Sequence, residues 1–149
     1  MSLPGFDPDA DLVIKKLSQE IARDFELEYV GTEHVLLAIL RHNRGIGAKV
    51  LQKAGVTEDK ARLEVERIIE KDMEDTWVFG RLPGSPHYRN VVALAIDEAT
   101  QLEARQIGTE HLLLALLRED NSTARLVLAK FGLTLAGCRA EVLKLLSAK

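Results

Sequence analysis

The chain of 149 residues lacks several features by which whole classes of protein are recognised. It has a single cysteine, Cys138, so no internal disulfide can form, which fits a reducing compartment. No apolar run approaches the roughly 18 residues that a membrane span requires. Residues 1–11 have neither the basic start nor the apolar stretch of a secretory signal. We therefore expect a soluble, cytoplasmic protein that has no membrane partner.

Signatures of catalysis are missing as well. The chain has no Gly-x-x-x-x-Gly-Lys-Ser/Thr tract to hold the phosphates of ATP, and no serine lies in a Gly-x-Ser-x-Gly context. No His-x-x-x-His or cysteine pair begins a metal site. A net charge of −3 argues against nucleic acid as the main partner. We expect a protein that is not an enzyme by itself and that has no cofactor and no metal.

The chain does contain an internal repeat, in which one sequence unit occurs twice. A shift of 77 residues aligns Ile14–Asp72 with Val91–Lys149 without a gap, and 20 of the 59 pairs are identical. The strongest match is the tract Gly-Thr-Glu-His, which begins at Gly31 and again at Gly108. No stretch shows sustained period-two alternation, so no sheet is predicted. The sequence predicts one all-α domain with repeats at about 8–72 and 85–149, joined by a connector at about 73–84.

Each repeat is predicted to form four helices. The first helix covers residues 8–28 in one repeat and 86–105 in the other, and the second begins at Thr32 and at Thr109. The third covers residues 47–54 and 123–131, and the fourth begins at Thr57 and at Thr134. The second helix is apolar nearly all round, which is typical of a buried helix. Its threonine is expected to cap the helix start. Glycines after the third helices are expected to be C-caps.

This doubled pattern resembles the N-terminal repeat of Clp-type (ClpC/ClpA) AAA+ unfoldases. The resemblance rests on residues 31–41 and 108–118, and also on Ala48–Leu51 and Asp97–Ala99. It implies an eight-helix fold with pseudo-twofold symmetry between the repeats. It also implies a non-catalytic domain that receives adaptor and substrate proteins for an ATP-driven unfoldase that feeds a protease.

The resemblance further implies a ligand, because ClpC-type members bind phosphorylated arginine on their substrates through the glutamates of this tract. Those positions are Glu33 and Glu110 here, each expected at the surface, and Thr32, Thr109 and Ser85 join the implied ligand-binding set. A carboxylate accepts paired N–H bonds from a guanidinium, and helix N-termini can receive the phosphate. The helix dipole alone also favours an acid in the first turn, so a structural role stays open.

One departure from the family pattern affects this ligand. The family tends to place threonine at the start of each first helix, whereas the first repeat has Pro8 between Asp7 and Asp9. An acid at this position would repel a phosphate. The repeated His34 and His111 lack further metal ligands and are expected to fix the packing of the buried helix.

Four residues form a second candidate surface. Arg41 and Arg118 end the second helices, where a positive charge suits the helix dipole but could also contact an acidic adaptor. Trp77 and Phe79 make the connector more apolar than a free linker. They either pack across the repeat seam or form an exposed docking strip.

Two other functions stay open at the level of sequence. Because the ATP-binding tract is missing, the chain could be a freestanding accessory protein that docks on a Clp protease core. Plant plastids contain such relatives, which makes the plastid stroma a possible location if the source is a plant. A small helical hydrolase that uses Glu33 and Glu110 as an acid pair is the remote alternative, since no nucleophile, metal set or cofactor tract accompanies the pair.

Overall fold

A computed structural model of the chain describes residues 5–26, 30–71, 86–120 and 122–147. The predicted connector, with Trp77 and Phe79, and the predicted cap Ser85 lie outside the described residues. The boundaries assigned to the two repeats therefore stay predictions.

Eight helices follow one another in the described ranges, in two groups of four. In the first repeat, α1 consists of three consecutive segments, Pro8–Leu12, Val13–Leu17 and Ser18–Asp24, of which the middle one is a π-helical turn; α2 (Thr32–His42), α3 (Ile46–Lys53) and α4 (Glu58–Lys71) follow. The second repeat contains α5 (Pro86–Gln101), α6 (Thr109–Arg118), α7 (Thr123–Lys130) and α8 (Leu135–Ser147). The predicted all-α architecture is confirmed.

Local capping residues set the ends of α3, α4, α7 and α8. The hydroxyl oxygen of Thr57 accepts from Lys60 N at 3.2 Å, and that of Thr134 accepts from Gly137 N at 3.1 Å. Gly55 and Gly132 follow the third helices with φ of 81° and 75°, the left-handed conformation of a C-cap glycine. These predicted starts and stops are confirmed.

The first helix of each repeat ends four residues earlier than predicted, at Asp24 and Gln101. Two residues further on, Glu26 and Glu103 have φ of 58° and 55°. A left-handed residue ends a helix, but glutamate seldom adopts this conformation, so the sequence carries no signal for the stop.

The prediction that the chain contains no sheet is wrong in one detail. Strand β1 (Gly5–Phe6) pairs in parallel with β2 (Gln106–Ile107), with Gly5 opposite Gln106 and Phe6 opposite Ile107. Two residues are too few to produce a period-two pattern. The pairing holds the start of the first repeat against the second, and Asp7 N donates to Ile107 O at 2.8 Å directly after it.

Helices α2 and α6 lie at the centre of the molecule. Every residue of Thr32–Leu40 and of Thr109–Leu117 is buried, as the sequence predicts for a helix apolar all round. The two helices contact each other, α3 packs on α6 and α8, and α4 packs on α7. The two repeats therefore share one hydrophobic core. None of the helices in the described ranges combines the length and apolar character needed to cross a membrane.

Candidate functional site

Each Gly-Thr-Glu-His tract forms a helix start in which the glutamate folds back over the glycine. A Cβ atom on Gly31 would lie 1.8 Å from Glu33 Oε1, and one on Gly108 would lie 2.0 Å from Glu110 Oε1. Both glycines have an ordinary extended φ near −100°. The tract therefore requires glycine to make space for the carboxylate rather than for an unusual backbone conformation.

The expectation that both carboxylates lie at the surface is wrong. Glu33 is 0% exposed and Glu110 is 8% exposed, because the two central helices start inside the shared core. Only Glu110 retains access to solvent. Binding of a guanidinium by these residues stays a prediction, and the burial strengthens the structural interpretation of Glu33.

The start of α1 lies beside Glu110, so the implied ligand elements come from different repeats. Asp7 Oδ2 would be 3.0 Å from a Cβ atom on Gly108, the same point that Glu110 Oε1 approaches. Asp7 Oδ1 also accepts from Ala10 N at 2.8 Å and so caps α1. Two carboxylates thus converge here, which favours a cation and disfavours a phosphate.

The histidines of the two tracts are buried, as expected of residues that fix the packing of the helix, and each also accepts a hydrogen bond at its own helix start, which was not predicted from the sequence. Gly31 N donates to His34 Nδ1 at 2.8 Å, and Gly108 N donates to His111 Nδ1 at 2.9 Å. An Nδ1 that accepts a hydrogen bond carries no proton. Burial lowers the pKa of His34 from 6.5 to about 4, and burial also lowers the pKa of His111. No group of His, Cys, Asp and Glu among the described residues could hold a metal ion.

The two threonines of the tracts cap helices of the opposite repeat. Thr32 and Thr109 are the first helical residues as predicted, but the caps of their own helices are glycines, so their predicted capping role is wrong. Thr32 Oγ1 accepts from Ala124 N at 3.1 Å, at the start of α7. Thr109 Oγ1 accepts from Gly47 N at 3.0 Å, at the start of α3. Both hydroxyls are buried, and their hydrogen bonds join the two repeats at the interface between them.

The arginines that end the second helices differ in how they are paired. Arg41 Nε and Nη2 lie 3.1 and 3.0 Å from Glu58 Oε2, and Arg41 Nη1 lies 3.4 Å from Asp24 Oδ2. Among the described residues, Arg118 is paired through Nη1 only, which donates to Asp97 Oδ2 at 2.7 Å and to Glu98 Oε1 at 3.1 Å.

Glu98 is the polar residue that interrupts the apolar stripe of α5. It is 1% exposed and accepts from both Arg118 and Arg139, the latter at 2.6 Å from Arg139 Nη2. The first repeat has the buried Ile21 at the equivalent position, and its Arg62 lies over the ring of Phe25. Sequence reasoning found the exception but not the arginines, which come from two other helices.

Two adjoining depressions of about 330 Å³ each open on the surface and share Leu133 and Thr134. The first, called here the arginine groove, is lined by α6, α7 and the start of α8: Leu117, Arg118, Arg125, Ala129, Leu133, Thr134 and Leu135. The second, the seam groove, runs between α3 and α8: Val50, Lys53, Ala54, Gly132, Leu133, Thr134, Gly137, Cys138 and Glu141. Of the residues that line these grooves, the sequence predicted only Arg118 as a partner-binding residue. The others could not be predicted because a groove depends on how the helices pack.

Cys138 faces the seam groove but is not a reactive thiol. Its side chain is 1% exposed, and burial, with the charge of Glu141 in addition, raises the pKa of the thiol. A buried thiol with a raised pKa is a poor nucleophile. The prediction of a small buried residue at this position is confirmed.

The sequence is similar to a known family of domains and to the N-terminal part of longer proteins. The sequence profile described as the Clp repeat (R) N-terminal domain matches residues 6–131 and 84–149. An ATP-dependent Clp protease ATP-binding subunit ClpA homolog from Guillardia theta is 42% identical over 130 residues, which are 87% of this chain and 16% of the relative. The ClpC subunit from Staphylococcus epidermidis is 40% identical over 129 residues, which are 87% and 15%. The chain spans about one sixth of the length of these relatives.

Solved structures show the same fold. The N-terminal domain of the caseinolytic protease associated chaperone ClpD from Arabidopsis thaliana matches with a TM-score of 0.78 and 25% identity, covering 99% of this chain and 97% of that one. The Hsp104 N-terminal domain from Candida albicans matches with a TM-score of 0.75 and 16% identity, covering 97% and 93%. The second likeness concerns the fold alone.

Proposed function

The chain belongs to the Clp repeat (R) N-terminal domain family, and we propose that it is a non-catalytic docking domain that binds adaptor and substrate proteins for a Clp ATPase. ATP hydrolysis and proteolysis then belong to other domains or subunits. The observation that carries the proposal is the pair of adjoining grooves, whose linings combine apolar side chains with charged ones. This is the composition of a protein-binding surface.

Exposed apolar side chains are concentrated in the second repeat, which contributes most of the groove residues. Among the described residues, four large hydrophobic side chains are exposed, and three of them, Leu126, Leu143 and Leu146, belong to the second repeat. Leu126 lies on α7 and the other two on α8; both helices contribute residues to the grooves, although these three leucines lie outside the groove linings. The second repeat is therefore the proposed docking side of the domain.

Binding of a permanently unfolded protein tests the proposal. We expect saturable binding of fluorescein-labelled, reduced and carboxymethylated α-lactalbumin, measured by fluorescence anisotropy, with a dissociation constant in the micromolar range. The native, disulfide-bonded protein is the control and is expected not to bind. Anisotropy that stays flat up to roughly 1 mM domain, a binding free energy weaker than about −4 kcal/mol, would contradict the proposal.

Recognition of phosphorylated arginine is the finer form of this proposal, and its support is confined to Glu110. This carboxylate keeps some access to solvent and lies beside the start of α1, whereas Glu33 is closed off. The nearby Asp7 carboxylate opposes the phosphate. The proposed site is therefore a single weak one, at the boundary of the two repeats.

Titration with phosphoarginine, followed by NMR chemical shifts, checks this finer proposal. We expect saturable shifts that are lost in Glu110→Gln and retained in Glu33→Gln. Asp7→Asn is expected to raise the affinity by roughly threefold to tenfold, because it removes a negative charge beside the phosphate, and two like charges about 4 Å apart in water repel by about 1 kcal/mol. Asparagine keeps the cap of α1, so folding is preserved. Shifts that are absent, or equal in all variants, would remove phosphoarginine from the proposal.

A further inference from the structure

The arginine groove differs from its counterpart in the first repeat at positions that change its chemistry. Leu117, Arg118 and Thr134 recur as Leu40, Arg41 and Thr57. The other four positions differ; the pairs, with the first repeat given first, are Ala48 and Arg125, Gln52 and Ala129, Val56 and Leu133, and Glu58 and Leu135. The first repeat thus pairs one arginine with one glutamate at these positions. The second repeat has two arginines and no acid.

The first repeat shows which group fits beside the conserved arginine. Glu58 Oε2 accepts from the edge of the Arg41 guanidinium that carries Nε and Nη2, at 3.1 and 3.0 Å. Leu135, at the equivalent position of the second repeat, cannot accept a hydrogen bond. The exchange of glutamate for leucine therefore leaves the groove with an apolar wall where the first repeat has its anion.

The same edge of Arg118 remains open to a ligand. Its Nη1 donates to Asp97 and Glu98, and no acceptor from the described ranges contacts its Nε or Nη2. Two neighbouring donors on one guanidinium edge are the arrangement that a carboxylate binds most strongly. The side chain of Arg118 is 25% exposed, so a ligand can reach it.

The second arginine adds charge at the rim of the groove. Arg125 is 44% exposed and pairs with Asp120, which is 79% exposed. A surface ion pair of this kind contributes little and exchanges readily. The groove volume of about 330 Å³ is at the lower end for ligand sites, about 300–1,000 Å³, which suits one or two side chains rather than a large cofactor.

We infer that the arginine groove binds a peptide segment of a partner protein through a glutamate side chain on Arg118, flanked by an apolar side chain on Leu133 and Leu135. The glutamate repeats the contact that Glu58 makes with Arg41 inside the first repeat. This inference rests on the proposed docking function and specifies its site and the chemistry of the partner.

Short peptides test the inference directly. The probe is an acetylated, amidated and fluorescein-labelled Gly/Ser peptide with a central Leu-Glu-Leu, and the matched peptide has Leu-Gln-Leu. We expect the glutamate peptide to bind about tenfold more tightly, since it alone offers a charged acceptor. A third peptide ends in Leu with a free carboxylate. Tighter binding of the glutamine peptide or of this third peptide would overturn the glutamate assignment.

Variants that exchange residues between the repeats provide matched controls. Leu135→Glu supplies the groove with the carboxylate of the first repeat and is expected to weaken peptide binding by about tenfold or more while the domain stays folded. A glutamate at the first helical residue is favoured by the dipole of α8, so stability is expected to be kept or raised. Circular dichroism and a urea titration check the fold. Peptide binding unchanged in Leu135→Glu would overturn the inference.

The converse exchange is expected to create a site. Glu58→Leu removes the carboxylate from Arg41 and so gives the first repeat the open guanidinium edge of the second. We expect the number of peptides bound per domain to rise from one to two, measured by isothermal titration calorimetry. A stoichiometry that stays at one, with Glu58→Leu folded, would contradict the assignment of this edge as the binding element.

The unfolded α-lactalbumin probe separates this inference from the proposed function. If wild type and Leu135→Glu bind the unfolded protein equally and neither binds the peptide, the groove assignment fails and the docking function stands. If wild type does not bind the unfolded protein, the docking function itself fails. Binding of both probes that is lost together in Leu135→Glu supports both.

Discussion

We expect Thr109→Val to lower the free energy of unfolding by about 1–3 kcal/mol, the usual cost of leaving a buried N–H without an acceptor. Valine keeps the shape of threonine but removes the oxygen that accepts from Gly47 N. The start of α3 depends on this oxygen because its cap, Gly45, has no side chain. Thr32→Val is expected to cost less, since Ser122 Oγ still caps α7 by accepting from Arg125 N at 3.2 Å.

Urea unfolding at pH 7 measures both effects. Thr109→Ser keeps the hydroxyl and is expected to recover most of the lost stability. Thr100→Val, an exposed position on α5, is the matched control and is expected to stay within about 0.5 kcal/mol of wild type. Equal stability of Thr109→Val and wild type would show that the bond between the repeats contributes nothing.

We expect the domain to lose stability between pH 6.5 and pH 4 because His34 is buried in its neutral form. Its Nδ1 accepts from Gly31 N, so protonation would cost this bond as well as the burial of a charge. The folded pKa of about 4 lies below the ordinary 6.5. The unfolded chain therefore takes up more protons in this window, and stability is complete above about pH 6.5 and falls as the pH falls. The difference corresponds to about 3 kcal/mol at pH 4.

His34→Asn separates this effect from the titration of carboxylates. Asparagine keeps a side-chain acceptor near the position of Nδ1 but does not titrate, so the loss of stability between pH 7 and pH 4.5 is expected to shrink by about 2 kcal/mol. His111, whose pKa burial also lowers, is expected to act in the same direction. Val142→Ala, a truncation of the uncharged core, is expected to lower stability equally at both pH values. A pH dependence of His34→Asn identical to wild type would rule out this role for His34.

The helices could be predicted because their signals are local. Thr57, Thr134, Gly55 and Gly132 act on backbone groups within a few residues, and the repeat confirms each signal a second time. Burial of the second helices followed from their composition. The early stop of the first helices could not be predicted, since it depends on glutamates in an unfavourable conformation.

The candidate site was less accessible to sequence reasoning because its contacts join distant residues. Thr32 Oγ1 accepts a hydrogen bond from Ala124 N, which is 92 residues further along the chain. Arg118 donates to Glu98, which lies on another helix. The exposure expected of Glu33 was wrong because a charge at a helix start is normally solvated, whereas this start lies inside a shared core. The difference between Arg41 and Arg118 was present in the sequence as Glu58 against Leu135. Only the packing of α4 and α8 shows that these residues face the arginines.

The reciprocal contacts of Thr32 and Thr109 are those of an isologous pair, in which each subunit offers its partner the same surface that it receives. Here both subunits belong to one chain. A fragment that contains only one of the two repeats would therefore expose its apolar second helix to solvent and would leave one helix start without its hydrogen-bond acceptor. Its nearest substitute for the missing half would be another copy of itself.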